Sequence, residues 1–299
     1  MKMMLAIVII YLWSSICLAQ TTMIVPSAVG GQTDVIARIL SSAYNQQNDN
    51  KILVENKPGA EGIIGTNFVA SKKANKNFIL LGQNSQLIYT LKTNRSVVEF
   101  NPKTSFKPII EISRVYMGLA TSVDSDVYKM HQLTNSSLIY GYPNAAANTF
   151  LDTMFIKKLK LNTVPLSIYY KSTQPMLIDL TSNRINIVLA GLTTLDPLVQ
   201  SNKLRLIAVT SPKRLPLFKD IPVVSETIPN FNLFLWLGLL LPADVDPNVI
   251  THYNKAFNRI LKDTDIATKL ESYHHIIIGG SIESFEQTIQ KDVADILDE

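Results

Sequence analysis

Apolar positions in this chain follow two rhythms. Phe78–Leu81 is apolar throughout and Ile185–Ala190 is apolar except at Asn186, as in strands buried on both faces. Between such runs, residues like Val35, Ile36, Ile39, Leu40 and Ala43 recur at helical spacing. The predicted order opens with a strand at Thr22–Pro26, a break at Gly30-Gly31 and a helix starting at Gln32 or Thr33. A strand at Lys51–Glu55 follows, then the turn Asn56-Lys57-Pro58-Gly59 and a helix over Glu61 to Ser71. Phe78–Leu81 is the third strand and ends in Gly82. The pattern then repeats: a strand at Leu138–Tyr140, a loop from Tyr142 to Asn148, a helix from Thr149 to about Lys158, a strand at Ser167–Tyr170, a helix at Pro175–Thr181, and strands at Ile185–Ala190 and Leu204–Thr210. Strands alternating with helices predict βαβ units and parallel sheet, and two such sets predict two α/β units.

The tail is helical. Asp246 before Pro247 supplies an N-cap and a proline at the first helical position, and that helix runs to about Leu261. A shorter helix covers Asp265–Glu271. Gly279-Gly280-Ser281 then leads into a last helix striped by Phe285, Ile289, Val293 and Ile296. Leu233 to Leu241 is the most apolar later stretch and reads as a buried strand, too short to cross a membrane.

The N-terminus follows another logic. Lys2 precedes an apolar run from Leu5 to Leu18, closed by Ala19, which is the layout of a secretory signal peptide. The run is about 15 residues, short of the ~20 that a membrane-spanning helix needs, so residues 1–19 are expected to be removed and the rest exported to the periplasm. Ile16 stands before Cys17 where a lipoprotein would carry a small residue. Cleavage removes Cys17, the single cysteine, so the mature chain would hold neither a disulfide nor a cysteine-ligated metal. About 280 residues remain, enough for two lobes held by their cores alone.

Charge changes the picture little. Without Lys2, 27 basic residues face 24 acidic ones. No Lys/Arg cluster reaches the density of a nucleic-acid surface, so no nucleic-acid partner is expected. His131, His252, His274 and His275 have no partner at metal-ligand spacing. The chain lacks a Gly-x-Ser-x-Gly elbow, a catalytic cysteine and a dinucleotide fingerprint. Asp34 and Asp179 are the available acid–base groups; a helix N-cap and a helix-surface charge account for them. No enzyme, cofactor or metal site is expected.

The chemistry is expected in loops at strand ends, where ligands of parallel α/β sheets sit. The first is Pro26-Ser27-Ala28-Val29-Gly30-Gly31-Gln32-Thr33-Asp34. Its glycine pair permits close backbone approach, and the helix that follows offers free N–H groups suited to an anion. The second half has a counterpart, Gly141-Tyr142-Pro143-Asn144-Ala145-Ala146-Ala147-Asn148-Thr149. A third loop, Gly82-Gln83-Asn84-Ser85-Gln86, carries neutral hydrogen-bonding side chains. An ordinary βα turn explains any one of these loops taken alone.

Several segments resemble one family. They are Val25-Pro26-x-Ala28-x-Gly30-Gly31-x-Thr33-Asp34, Val54-Glu55-Asn56-Lys57-Pro58-Gly59-Ala60-x-Gly62-x-Ile64-Gly65, Tyr170-Lys171-x-x-x-Pro175, Lys203-Leu204-Arg205-x-x-Ala208-Val209-Thr210-Ser211, Pro222-x-Val224-x-Glu226 and Trp236-x-Gly238-Leu239-x-x-Pro242-Ala243. In this order they resemble the receptor component of tripartite tricarboxylate transporters, the Bug-type periplasmic solute-binding proteins. The resemblance implies an α/β, two-lobed Venus-flytrap architecture of type II with two crossing strands, placed near Leu119–Thr121 and Phe234–Gly238. Lobe I would combine residues 20–119 with 237–299, and lobe II would span 120–236. The implied first-lobe contacts are Ser27, Ala28, Val29, Gly30, Gly31, Thr33, Asp34, Gln83, Asn84 and Ser85. Asn144, Ala147, Asn148, Thr149, Lys171 and Ala190 would set selectivity from the second lobe. The chain departs from the family pattern at Ser27, where an aromatic residue is usual, at Phe150, often His, and at Ala190, often Asp. The implied function is capture of a small organic carboxylate by a monomeric receptor and its delivery to membrane permease subunits. The alternative is a sensing protein that docks on a membrane sensor kinase.

Overall fold

A computed structural model of the chain describes residues 20–93, 95–135, 138–143, 155–159 and 165–297. The predicted signal peptide and the loop positions Asn144, Ala147, Asn148 and Thr149 lie outside the described residues.

Ten strands share one sheet: β1 (Gln20–Val25), β2 (Lys51–Asn56), β3 (Phe78–Gln83), β4 (Phe106–Ser122), β5 (Ile139–Pro143), β6 (Leu166–Tyr170), β7 (Ile187–Gly191), β8 (Leu204–Val209), β9 (Phe234–Pro242) and β10 (Ile276–Ile277). The order is β2-β1-β3-β9-β4-β7-β5-β6, with β8 and β10 also on β4. β1 lies parallel to β2 and β3, and β5 lies parallel to β6 and β7. Each parallel group is linked through helices, as the alternation of periods predicts. The groups are joined by antiparallel strands. β4 is 17 residues long. It pairs with β9 from Phe106 to Tyr116, then with β7 and β8 from Met117 to Ser122. β9 lies beside it and also pairs with β3. The fold is therefore α/β with two lobes, and two long strands run side by side where the lobes meet.

Apolar burial follows the same division. Met23, Ile36, Leu40, Tyr44, Ile79 and Phe257 form one core under the helices Gln32–Gln47 and Pro247–Leu261. On the other face of that sheet, Phe285, Ile289 and Val293 of the helix Ile282–Leu297 pack with Leu80, Trp236 and Leu240. The C-terminal tail thus covers the N-terminal strands. Met176, Leu180, Ile185, Val188, Leu195 and Leu206 form the core of the other set. Burying such side chains is the main stabilising term, about 1.5–3 kcal/mol each.

Three local features depart from the sequence pattern. The helix expected from Glu61 starts at Ile63, because Glu61 and Gly62 turn through positive φ (55° and 92°). A Cβ on Gly62 would lie 2.8 Å from Gln86 Cγ, so the turn needs glycine for its space as well as its φ. The segment after Gln83 is a π-helical turn, Ser85–Tyr89, started by Asn84, whose side chain accepts a hydrogen bond from the Ser85 amide. A helix at Leu192–Gln200 follows β7 directly and contains Pro197, a residue that argues against a helix at that place.

Candidate functional site

The first loop is tied down from within. Gly30 adopts φ 79°, a left-handed conformation that suits glycine. Its amide donates to Asp34 Oδ2 at 2.9 Å. The Asp34 carboxylate is buried and also receives Arg38 at 3.0 Å and Asn56 Nδ2 at 3.0 Å. Asn56 Nδ2 donates in turn to Ser27 O at 3.1 Å. Burial opposes the Asp34 charge, but the Arg38 hydrogen bond, the Gly30 amide and Asn56 outweigh it and hold the carboxyl below its usual range. Asp34 is therefore a strut of the loop, with its oxygens already bonded. Because its folded pKa is depressed, the stability it contributes is present at neutral pH and is lost as pH falls through the folded value. Asp34→Ala is expected to destabilise the protein by about 2 kcal/mol at pH 7, read from urea unfolding midpoints; an unchanged midpoint would show that the strut carries no load.

A cavity of about 320 Å³ opens where the lobes meet. One wall is Gln32 and Thr33, in the first turn of the helix Gln32–Gln47, with Gln83 at the end of β3. Gln83 Nε2 donates to Thr33 Oγ1 at 2.9 Å and so links the two. The opposite wall is Thr173, the first residue of the helix Thr173–Thr181, together with Leu189, Ala190 and Gly191 at the end of β7 and Thr193 and Thr194 in the first turn of the next helix. The floor is Val115 and Met117 of β4, Leu235–Leu237 of β9, and His275. Strand alternation accounts for the choice on β4: Val115 and Met117 share one face, and Arg114 and Tyr116 take the other. Arg114 is spent there, bridging Glu111 at 3.0 Å and stacking 4.1 Å over the Phe234 ring.

Among the described residues, three helices thus begin at the cavity. Their N-caps are Gly31, Ser172 and Gly191, and none makes a side-chain capping hydrogen bond. Uncapped helix N-termini carry free N–H groups and a partial positive charge. Among the described residues the lining contains no Lys, Arg, Asp or Glu. Such a surface stabilises an anion by oriented dipoles and hydroxyls, with no fixed countercharge.

The walls also touch one another. Gln32 Nε2 donates to Tyr273 O at 2.8 Å, and Thr193 Oγ1 donates to the same oxygen at 3.0 Å. His274 Nε2 lies 3.3 Å from Asp196 Oδ2. Residues 273–274 therefore join the tail to the helix that starts the opposite wall.

Of the residues read from the sequence, Thr33, Gln83 and Ala190 come together in this lining. Gly31 caps the helix beside them. Ala28, Val29 and Gly30 are exposed, and Ser27 is partly buried with its Oγ accepting from Gln86 Nε2 at 3.4 Å. Asn84 is buried beneath the site, bonded to Phe234 O at 3.0 Å, and Ser85 Oγ donates to Gln83 Oε1 at 3.3 Å. Lys171 is exposed and outside the lining. Sequence reasoning included Gln32 within the first loop but did not pick out Thr173, Gly191, Thr193, Thr194 or His275. A glycine ending an apolar strand, followed by Thr193-Thr194, was the available signal for the second wall. Among the described residues no group of three His, Cys, Asp or Glu could hold a metal, and no helix is long and apolar enough to cross a membrane.

Two lobes around a cleft of neutral hydrogen-bonding groups define a solute-binding architecture. A family model described as the tripartite tricarboxylate transporter family receptor matches residues 36–296. The chain belongs to that family of solute-binding receptors. It is 24% identical over 247 residues to the protein BugT of Bordetella pertussis, which covers 80% of this chain and 76% of the relative. MatC of Rhodopseudomonas palustris, solved with bound malate, shares the fold at a TM-score of 0.74 and 18% identity, covering 93% of this chain and 98% of its own. A second Rhodopseudomonas palustris protein, solved with adipate, superposes at a TM-score of 0.74 and 24% identity, with 92% and 94% covered.

Proposed function

We propose that the cavity between the lobes binds a small organic carboxylate, and that the protein, exported to the periplasm after loss of residues 1–19, delivers it to the permease subunits of a tripartite tricarboxylate transporter. In this reading lobe I is residues 20–119 with 237–299 and lobe II is 120–236. The observation that carries the proposal is the convergence of three uncapped helix N-termini, from both lobes, on one cavity whose described lining holds no Lys, Arg, Asp or Glu. A carboxylate there receives backbone N–H groups and the hydroxyls of Thr33, Thr173 and Thr194. In this reading the acid is bound and released unchanged. Malate in one structural relative and adipate in another are ligands of the same chemical class. Ligand bridging both walls favours the closed arrangement of the lobes by the difference in its affinity for the two states.

The test is a thermal-shift series with malate, succinate, adipate and citrate. A bound acid is expected to raise Tm in step with the logarithm of its concentration above Kd. Absence of any shift at millimolar concentration for the whole series, or consumption of the acid during incubation, refutes the reading.

A further inference from the structure

His275 is the one imidazole among the described residues of the cavity lining, and it is 4% exposed. Its Nδ1 lies 2.6 Å from Ser113 Oγ. Ser113 is fully buried on β4, at the alternate position to Val115 and Met117, so its hydroxyl shares their face. A buried hydroxyl needs an acceptor for its proton, and the acceptor Ser113 has among the described residues is Nδ1 of His275. With Ser113 donating, the neutral ring carries its own proton on Nε2. Nδ1 is taken by Ser113 and His275 is one of the residues that line the cavity, so Nε2 is the ring nitrogen left to meet a ligand there. Burial, reinforced by the neighbouring His274, pushes the imidazole down to about 4, so the ring stays neutral across the pH range of a living cell's envelope.

We infer that His275 is a specificity-determining residue of the cleft, donating a hydrogen bond from Nε2 to an acceptor oxygen of the ligand other than the carboxylate held by the helix N-termini. This rests on the proposed carboxylate site and narrows its ligand class. A fixed neutral donor accepts a second carboxylate, keto or hydroxyl oxygen. It disfavours an ammonium group at the same place, because two donors face each other and neither has a lone pair to offer. Dicarboxylates and hydroxy acids fit; amino acids do not. The Ser113 hydroxyl is the positioning group, since it fixes which ring nitrogen holds the proton.

The experiment uses the mature protein with ¹⁵N-labelled histidine, the His275 signals being assigned from the spectrum of His275→Gln. The ring is expected to show the neutral Nε2–H tautomer from pH 8 to pH 5. Ser113→Ala is expected to abolish that preference while leaving the fold intact by circular dichroism. Calorimetry with malate, succinate and β-alanine, which carries an ammonium in place of the second carboxylate of succinate, is expected to give binding of the first two and at least about tenfold weaker binding of β-alanine. His275→Phe is expected to weaken malate or succinate by about tenfold or more and to narrow the gap to β-alanine. An Nδ1–H tautomer, or an imidazolium at pH 6, overturns the inference. So does a His275 signal unmoved by an acid that calorimetry shows to be bound; that outcome leaves the carboxylate site standing. If no acid binds the unaltered protein, the carboxylate site itself is wrong and this inference falls with it.

Discussion

Gly191→Leu is expected to raise the Kd for the bound acid at least ~100-fold, about 2.7 kcal/mol, while leaving the fold in place. Gly191 sits at the meeting point of β7 and the helix Leu192–Gln200, with φ −58° and ψ 137°. These angles suit any L-residue, so no backbone strain follows from adding a side chain. A Cβ built on Gly191 meets nothing within 4 Å, and the residue lines the cavity. An isobutyl group would therefore grow into the space the ligand needs and would shield the first N–H groups of that helix. The stability cost is confined to replacing glycine by a poorer N-cap residue, about 1 kcal/mol. For a chain of this size that lowers Tm by about 2–4 °C. Calorimetry and a melting curve on the same sample separate the two effects. Ligand affinity preserved beside a normal melting curve would place the binding site elsewhere. Gly31 offers a less clean test, because a Cβ there lies 3.2 Å from Ala28 O, and any loss of binding would mix occlusion with a shifted loop.

The contrast between these glycines shows what the sequence could carry. Gly30-Gly31 lies in an approach loop between an evident strand and an evident helix, so its place at a ligand site is legible from periodicity and loop chemistry alone. Gly191 ends an equally evident strand, but Pro197 hides the helix behind it, and without that helix the position has no N-terminus to interpret. Most strands and the tail helices follow from local pattern, because buried parallel strands are uniformly apolar and amphipathic helices are periodic. The full length of β4 does not. Its first half, Phe106–Arg114, includes Lys107, Pro108, Glu111 and Arg114, and the two charges that are buried or half-buried there are tolerated because Glu111 and Arg114 satisfy each other. That pairing is a tertiary fact. The same holds for His275. Nothing within a few residues of it marks a ligand contact; its role depends on Ser113, 162 positions earlier, and on a cavity assembled from both lobes. Asp34 illustrates the converse. The sequence places it correctly in the loop, while its orientation toward Gly30, Arg38 and Asn56 depends on the neighbouring strand β2.

Beneath the floor of the cleft, Asp292 should make stability fall as pH rises, the reverse of a carboxylate whose pKa is depressed, such as Asp34. Its Oδ2 accepts from Trp236 Nε1 at 2.7 Å and from Asn84 Nδ2 at 3.3 Å. It thereby ties the helix Ile282–Leu297 to β9, which supplies Leu235–Leu237 to the cavity, and to the turn that follows Gln83 at the end of β3. Burial pushes this carboxyl from 3.8 up to about 6, with Asp295 and Glu111 adding to the effect and the Trp236 and Asn84 hydrogen bonds opposing it. The same surroundings raise the Tyr89 hydroxyl, through burial first and then Asp292 and Asp295. Between about pH 4 and 6 the folded carboxyl keeps a proton that the unfolded chain has released, so folding takes up a proton and stability declines as pH rises through that window. The ionised form at neutral pH then costs about 2–3 kcal/mol relative to the protonated one. Asp292→Asn keeps an acceptor for Trp236, removes the charge, and is expected to raise stability at pH 7.5 by about 1–2 kcal/mol while flattening the slope between pH 4 and 7. Asp292→Ala leaves the Trp236 N–H without its acceptor and is expected to lower stability by about 1–3 kcal/mol at pH 5. Urea unfolding at pH 5 and pH 7.5 measures both. Parallel pH dependence in the unaltered protein and in Asp292→Asn would mean that this carboxyl titrates as an ordinary surface acid and that the strut beneath the cleft is not a charged one.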